Sequence, residues 1–282
     1  MQPTIPSLLD IQHTVKVALA EDVGSGDITA SLIPSQKLAK ARIVSRENAI
    51  LCGQMWANET ALQLHPSITI RWLVDDGEAI TAGMCIAILE GPARSLLTAE
   101  RTILNFLQTL SGTATKTREL VDLISHTDCV ILDTRKTLPG LRVAQKYAVT
   151  AGGGSNHRLG LFDAYLIKEN HIRACGSIEL AIHTARQNSP NKPVEIEVQT
   201  LDELRSAIAA KADTVMLDNF SLALTREAVA INAGAVKLEA SGNVDKETLI
   251  QIAETGVDYV SIGALTKHCR AIDFSMLFDS DN

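Results

Sequence analysis

From Cys129 onward, short runs of apolar and β-branched residues alternate with longer amphipathic segments. The predicted strands are Val130–Leu132, Ala164–Ile167, Val194–Val198, Thr214–Leu217, Val236–Leu238 and Tyr259–Ile262. Apolar residues recur at helical spacing in several of the intervening segments, including Leu201–Ala210, Leu222–Ala233 and Lys246–Thr255. Strands separated by helices are typical of repeated β/α units around a parallel sheet. The pattern predicts an incomplete (β/α) barrel, with an open doubly wound sheet as the alternative.

The first part of the chain mixes strands and helices without regular alternation, which is typical of an α+β arrangement. Amphipathic spacing predicts helices over 7–20, with Ser7 as the N-cap, over 54–64, and over 93–124 with a break at Ser111-Gly112. Strand-like runs lie at 41–44, 49–52, 68–74, 85–89 and, near the end, 272–278.

Two domains follow from this change of pattern. We predict an N-terminal α/β sandwich domain over residues 1–112, on which the tail 270–282 packs back, and an incomplete barrel over 113–269.

Composition narrows the class of protein. The chain has 26 Lys and Arg against 33 Asp and Glu, which gives a net charge of −7, and this argues against general binding of nucleic acid. No apolar run approaches the ~20 residues of a membrane span, and the first residues lack the pattern of a secretory signal. The five cysteines are scattered, as expected of reduced thiols. We therefore expect a cytoplasmic protein.

Positive charge is concentrated in the stretch Asp133–Ile172. Six cations stand against three anions there, a local balance of +3 (6 − 3) in an acidic chain. The cations are Arg135, Lys136, Arg142, Lys146, Arg158 and Lys168. They lie close to glycines 152–154 and to two histidines, which favours a small, highly charged anion as ligand.

Polar or glycine residues follow each predicted strand of the second part. They include Thr134, Arg135 and Lys136, then Lys168, Glu197 and Asp218, and later Ser241-Gly242 and Gly263-Ala264. Because active sites of β/α barrels lie at the C-terminal ends of the strands, these groups are expected at one mouth, where the late turns suit a phosphate. Each has a structural alternative: the turns occur in any α/β protein, His157 could be a packed residue, and Arg142 and Lys146 could be surface cations.

Several long motifs together carry a family resemblance. They are EDVGSGDIT (21–29), ERTILNFLQTLSGTAT (100–115), DTRKTLPGLR (133–142), GGGSNHRLGL (152–161), KENH (168–171), EIEV (195–198), MLDN (216–219), EASGN (239–243) and SIGALTK (261–267). With these motifs the chain closely resembles the quinolinate phosphoribosyltransferases over nearly its whole length. Many members of that family have glycine where this chain has Asn243, so the third position of that turn departs from the pattern.

The resemblance implies an activity and an assembly. Quinolinate and 5-phosphoribosyl-1-diphosphate would give nicotinate mononucleotide, diphosphate and carbon dioxide, a step of NAD biosynthesis that requires Mg²⁺. The ion would be held through substrate and water near Glu197 and Asp218, without direct protein ligands. The enzyme would be a homodimer in which the N-terminal domain of one subunit caps the barrel of its partner.

The resemblance also implies roles for particular residues. Arg135 and Arg158, with Arg101 of the partner subunit, would bind the quinolinate carboxylates. His157, Lys136 and Lys168 would complete the cationic wall and meet the diphosphate. The 5-phosphate would lie at Ser241, Gly242, Gly263 and Ala264, and the catalytic group would be Lys136, Lys168, Glu197 and Asp218. The substrate-binding set further includes Thr134, Asn243 and Ile262.

Other functions stay open from the residues alone. Lys168 at a strand end could form a Schiff base, as in a barrel aldolase. The chain could also be a related phosphoribosyltransferase for another anionic acceptor, such as the homologue linked to molybdenum transport, or a non-catalytic phosphosugar-binding module. The combination of Arg101, Arg135, Arg158 and Lys168 favours the quinolinate enzyme.

Overall fold

A computed structural model describes residues 6–242 and 244–279. Its helices are α1 (Leu8–Val23), α2 (Gln54–Leu64), α3 (Ala93–Leu123), α4 (Arg142–Ala151), α5 (Glu169–Cys175), α6 (Ile178–Asn188), α7 (Leu201–Ala209), α8 (Leu222–Asn232), α9 (Lys246–Ala253) and α10 (Ala264–Lys267). Its strands are β1 (Leu38–Ser45), β2 (Ala49–Ile50), β3 (Thr69–Trp72), β4 (Ala79–Ile80), β5 (Cys85–Pro92), β6 (Val130–Leu132), β7 (Tyr165–Ile167), β8 (Val194–Val198), β9 (Thr214–Asp218), β10 (Lys237–Ser241), β11 (Tyr259–Ser261) and β12 (Phe274–Phe278).

Contacts divide the chain into two compact units. One, the α+β unit, has its described residues in 6–118, 137–153 and 265–279, and the other, the barrel unit, consists of 119–136 and the described part of 154–264. Within the part of the chain that the structure describes, no helix is long and apolar enough to cross a membrane.

An antiparallel sheet organises the α+β unit. Its described strands lie in the order β12-β1-β5-β3, so the strand near the end of the chain pairs with β1. One face of β1 is buried, with Ala41 and Ile43 inaccessible to solvent, while Lys40 and Arg42, which alternate with them, are exposed. This alternation puts apolar side chains against α3, and Leu96, Ile103 and other residues of that helix complete the core.

Helix α3 is continuous, so the predicted break at Ser111-Gly112 is wrong. A Cβ at Gly112 would collide with the backbone carbonyl oxygen of Arg270, so glycine allows a close approach of two segments here. The hydroxyl of Ser111 accepts a hydrogen bond from the amide of Cys52 at 2.9 Å. Both residues therefore serve packing within the unit. The predicted N-cap is confirmed, because the hydroxyl of Ser7 accepts a hydrogen bond from the amide of Asp10.

Six parallel strands in the described part of the barrel unit form one sheet in the order β6-β11-β10-β9-β8-β7. Consecutive strands pair from β7 to β11, and β11 then pairs with β6, so the strands form a ring that is open between β6 and β7. At this opening Ser155 makes an isolated parallel bridge with Leu132 of β6. The predicted incomplete barrel is confirmed, and the doubly wound alternative is wrong because the first strand pairs with the last.

Candidate active site

The parallel order brings the predicted polar residues to the C-terminal edge of one sheet. Lys168 follows β7, Glu197 lies in β8, and Asp218 and Ser241 are the last residues of β9 and β10. Ser241 pairs in register with Asp218 on one side and with Ser261 on the other. The remaining residues at this edge follow β6 and β11 and are Thr134, Arg135, Lys136, Ile262, Gly263 and Ala264. We call this edge the barrel mouth.

Lys168 and Glu197 form an ion pair across neighbouring strand ends, with Nζ of the lysine against Oε2 of the carboxylate. The lysine side chain is 47% exposed and the glutamate side chain 14%. An exposed ammonium can leave such a pair for a stronger anion at little cost, because water screens the attraction. The mouth therefore holds a cation and a carboxylate side by side.

Arg158 is a partly buried cation close to a second cation. Burial, and next the charge of Arg135, lower the pKa of its guanidinium. Its Nη1 donates to the carbonyl of Ala164 at 3.2 Å, whereas its buried Nε has no hydrogen-bond partner among the described residues. The carboxylate of Asp163 accepts hydrogen bonds from the amides of Leu159 and Gly160, at 2.6 and 2.9 Å, which fixes this loop. A partly buried arginine with an unused donor, close to a second arginine, makes an anion the fitting ligand.

Two glycines leave room at the strand ends. Gly242 has φ of +114°, and a Cβ there would collide with the side chain of Asn219. At Gly263 a Cβ would lie 2.8 Å from Cδ of Lys136, so the lysine could not keep its place beside the turn. Backbone amides without a covering side chain are what a phosphate group requires. The third residue of the first turn, Asn243, lies outside the described residues.

A buried polar cluster lies next to the mouth, and two of its members received no role from the sequence. His157, Glu195 and Glu239 are all buried, and their ligating atoms lie within 4.8 Å of one another. A signal existed in the sequence: Glu195 lies two residues before Glu197, and Glu239 two before Ser241. Because side chains alternate along a strand, each acid shares a face with a residue of the mouth.

The remaining cations of the stretch 133–172 and the predicted Arg101 lie in the α+β unit. Arg101 is exposed on α3. Lys146 on α4 is fully buried, so the surface alternative is wrong for this residue, whereas Arg142 at the start of the helix is half-buried and donates to the hydroxyl of Thr137. A fully buried ammonium requires partners inside the protein, which places Lys146 among the structural residues of this unit.

Comparison with known proteins gives a consistent result. The family model "Quinolinate phosphoribosyl transferase, C-terminal domain" matches residues 113–277, and the corresponding N-terminal model matches 27–111. A probable nicotinate-nucleotide pyrophosphorylase [carboxylating] of Bacillus subtilis (strain 168) is 43% identical over 95% of this chain and 93% of its own length. The mitochondrial quinolinate phosphoribosyltransferase [decarboxylating] 2b of Nicotiana tabacum is 37% identical over 100% of this chain and 86% of its own. The solved nicotinate-nucleotide pyrophosphorylase of Francisella tularensis superposes with a TM-score of 0.96, at 53% identity over 99% of each chain.

Proposed function

Because the chain belongs to the quinolinate phosphoribosyltransferase family, we propose that it transfers a phosphoribosyl group from 5-phosphoribosyl-1-diphosphate to quinolinate with loss of carbon dioxide. The products are nicotinate mononucleotide, diphosphate and carbon dioxide, and the reaction supplies NAD biosynthesis. The observation that carries this function is the pair of arginines at the barrel mouth, one of which is partly buried with an unused donor.

The acceptor is a pyridine with two adjacent carboxylates, so it needs several cations in a place sheltered from water. Arg135 and Arg158 meet this need because a guanidinium can bond both oxygens of a carboxylate with its planar fork. Burial and, next, the charge of Arg135 lower the pKa of Arg158 in the free protein, and a dianion bound between the two cations would offset the repulsion between them. Quinolinate is therefore a better ligand for this mouth than a pyridine with one carboxylate.

The donor lies along the later strand ends. The 5-phosphate is bound at the turns that contain Ser241, Gly242 and Gly263, and Glu197 and Asp218 face the ribose hydroxyls. The acceptor nitrogen forms a bond to C1 of the ribose while the bond from C1 to the diphosphate oxygen breaks. Positive charge develops on the sugar in this step, and the two carboxylates stabilise it.

Two lysines neutralise the negative charge of the leaving diphosphate. The side chain of Lys136 passes close to Gly263. Lys168 forms an ion pair with Glu197 before substrate binds, so both lysines lie at the mouth. Exchange of the Glu197 carboxylate for diphosphate would bring Lys168 to the leaving group. After transfer, the ring nitrogen is cationic and accepts the electron pair when the adjacent carboxylate leaves as carbon dioxide. No covalent intermediate with the protein is needed.

Mg²⁺ fits the carboxylate oxygens at this edge, because it prefers hard oxygen ligands and retains water. Glu197 and Asp218 would hold the hydrated ion through water, and the ion would supply charge neutralisation on the diphosphate. Homodimer formation and a cytoplasmic location are further parts of this proposal. The alternative acceptor and the non-catalytic module are outcomes that the following assay separates.

A coupled assay for nicotinate mononucleotide tests the acceptor. We expect turnover with quinolinate and little with nicotinate, and Arg158→Ala should raise KM for quinolinate by about 10- to 100-fold, as the loss of a charged hydrogen bond implies. The matched control is Arg186→Ala in the same unit, where the guanidinium pairs with Asp213 before β9 starts, and its KM should not change. Equal turnover of nicotinate, or an unchanged KM in Arg158→Ala, would contradict the acceptor. Donor binding without diphosphate release would indicate the non-catalytic module.

A further inference from the structure

We propose that Gln145 is a positioning residue, which ties the segment after Lys136 to the segment after Ala264 and so holds the lysine at a set distance from the turn Gly263-Ala264. The roles of the lysine and of this turn rest on the proposed function, whereas the link through Gln145 rests on the geometry of the described residues. Gln145 lies in α4, is completely buried and received no role from the sequence.

The side-chain amide of Gln145 forms hydrogen bonds with two segments of the chain. Its Oε1 accepts from the backbone amide of Leu138 at 2.8 Å, and its Nε2 donates to the backbone carbonyl of Thr266 at 2.9 Å. Because a backbone N–H can only donate and a carbonyl oxygen can only accept, this orientation of the side chain is the one that satisfies both groups. Nε2 also lies 3.0 Å from Sγ of Cys269, a weak acceptor for its second N–H.

Both backbone groups need a side-chain partner because of the local structure around them. The amide of Leu141 donates to the carbonyl of Leu138 at 3.1 Å, which closes a tight turn. The central residues of this turn are Pro139 and Gly140, and the φ of +79° at the glycine is that of a type II turn. The turn uses the carbonyl of Leu138 and leaves its amide for another partner. Thr266 lies in α10, which has four residues, and the last carbonyls of a helix have no donor within it.

The two segments that Gln145 holds begin at residues of the barrel mouth. Leu138 follows Lys136 by two residues. Thr266 follows Ala264 at the same interval. The strands that precede these segments, β6 and β11, are neighbours in the parallel sheet. One side chain therefore holds both segments shortly after they leave two adjacent strands.

The space between Lys136 and the turn is narrow. A Cβ at Gly263 would lie 2.8 Å from Cδ of Lys136 and 3.4 Å from Oγ1 of Thr134. The same hydroxyl of Thr134 accepts a hydrogen bond from the amide of Lys136 at 3.0 Å. Misplacement of a positioned group by about 1 Å can cost ~100-fold in rate. A restraint just beyond the strand ends is therefore expected to affect how the phosphoribosyl donor is bound.

The competing explanation is that Gln145 only stabilises the α+β unit. Gln54 is the matched comparison, because its Nε2 likewise donates to a backbone carbonyl of this unit, that of Val74, at 2.6 Å. Neither Gln54 nor Val74 is adjacent in sequence to a residue of the mouth. Loss of either glutamine should lower the free energy of unfolding, whereas only loss of Gln145 should change binding of the phosphoribosyl donor.

Substitution by methionine tests this difference, since methionine is also unbranched but cannot form the two hydrogen bonds. In Gln145→Met, KM for 5-phosphoribosyl-1-diphosphate at saturating quinolinate should rise about tenfold, whereas in Gln54→Met it should stay within about twofold. An unchanged KM in Gln145→Met, or an equal rise in Gln54→Met, would overturn the proposal. If Gln145→Met does not fold, Gln145→Asn withdraws the amide by one C–C bond, ~1.5 Å, and should raise the same KM.

A double-mutant cycle tests whether Gln145 acts through Lys136. Calorimetry gives Kd for 5-phosphoribosyl-1-diphosphate with Mg²⁺ in the wild type, Gln145→Met, Lys136→Ala and the double variant. The change at Gln145 should weaken binding about tenfold when the lysine is present and less than about twofold when it is absent. Equal factors in both backgrounds would show that Gln145 does not act through the lysine. Because no turnover is needed, a wild type that binds this substrate without forming nicotinate mononucleotide would contradict the proposed function and leave the cycle interpretable.

Discussion

Single residues at the barrel mouth matter as much for the space they leave as for the charge they carry. Gly242 adopts a positive φ and lies against Asn219, which itself has a left-handed φ of 56° and donates to the carboxylate of Asp218. A side chain at position 242 would displace Asn219 and disturb Asp218. The shape of this turn, the proposed phosphate site, and the position of the Asp218 carboxylate are therefore coupled through one glycine.

Gly242→Ala is expected to weaken donor binding. The added methyl group would push Asn219 away from Asp218, and KM for 5-phosphoribosyl-1-diphosphate should rise roughly tenfold, equivalent to about 1.4 kcal/mol. The matched control is Gly234→Ala, which has a φ of +80° but open space around the new Cβ. It should cost about 1 kcal/mol of stability through backbone strain and leave KM unchanged. Steady-state kinetics and urea unfolding of both variants measure this, and equal KM values would contradict the steric argument.

At the scale of elements, alternation along the strands determines what each face does. In β8, Glu195 and Glu197 share one face, while Val194 and Val198 on the other face are fully buried. In the α+β unit, β12 places Phe274 and Met276 in the core and leaves Leu277 37% exposed. The same periodicity thus builds a polar barrel interior in one unit and an apolar core in the other.

The contribution of β12 to stability is expected to come from its buried face. Phe274→Ala should lower the free energy of unfolding by about 3–5 kcal/mol, because the side chain is 3% exposed and its loss leaves a cavity in the core that contains Ile43 and Leu89. Leu277→Ala, in the same strand, should cost about 1 kcal/mol or less. Urea unfolding followed by circular dichroism gives both values, and similar costs would show that this face does not anchor the strand.

At the scale of the whole molecule, an acidic chain with a net charge of −7 places four cations of the stretch 133–172 in the barrel unit, namely Arg135, Lys136, Arg158 and Lys168. The described residues predicted to bind substrate lie in the barrel unit, with the exception of Arg101, which is exposed on α3 of the α+β unit. In the proposed homodimer, the partner subunit's Arg101 would complete the cationic wall. Each active site would then require two chains, and mixing inactive subunits tests this requirement.

Mixed dimers of Arg101→Ala and Lys168→Ala should regain activity. In each mixed dimer the intact barrel of one chain meets the intact arginine of the other, so a random equal mixture should reach about a quarter of the wild-type rate per subunit. The control is a mixture of Lys168→Ala with Arg158→Ala, in which both defects lie in the barrel unit and no intact site can form. Activity no higher than that of the parents after subunit exchange would contradict a shared site.

The sequence by itself determined the local features of this protein. Periods of apolar residues predicted the alternation of strands and helices in the barrel, Ser7 predicted a helix start, and the order of motifs predicted the family. Local rules misplaced a break at Ser111-Gly112, because a glycine in a helix can also mark the close approach of another segment. Such a contact depends on residues far away in the chain.

Only the tertiary structure decided which distant residues meet. The pairing of β11 with β6 and the opening beside β7 distinguish the barrel from an open sheet. Neither can be predicted from the apolar pattern of a single strand. Burial of Lys146 and the contact of His157 with Glu195 and Glu239 likewise arise from strands and helices brought together by packing. Periodicity reports which face of an element is apolar, whereas the partner of a buried polar group is set by the neighbours that packing supplies.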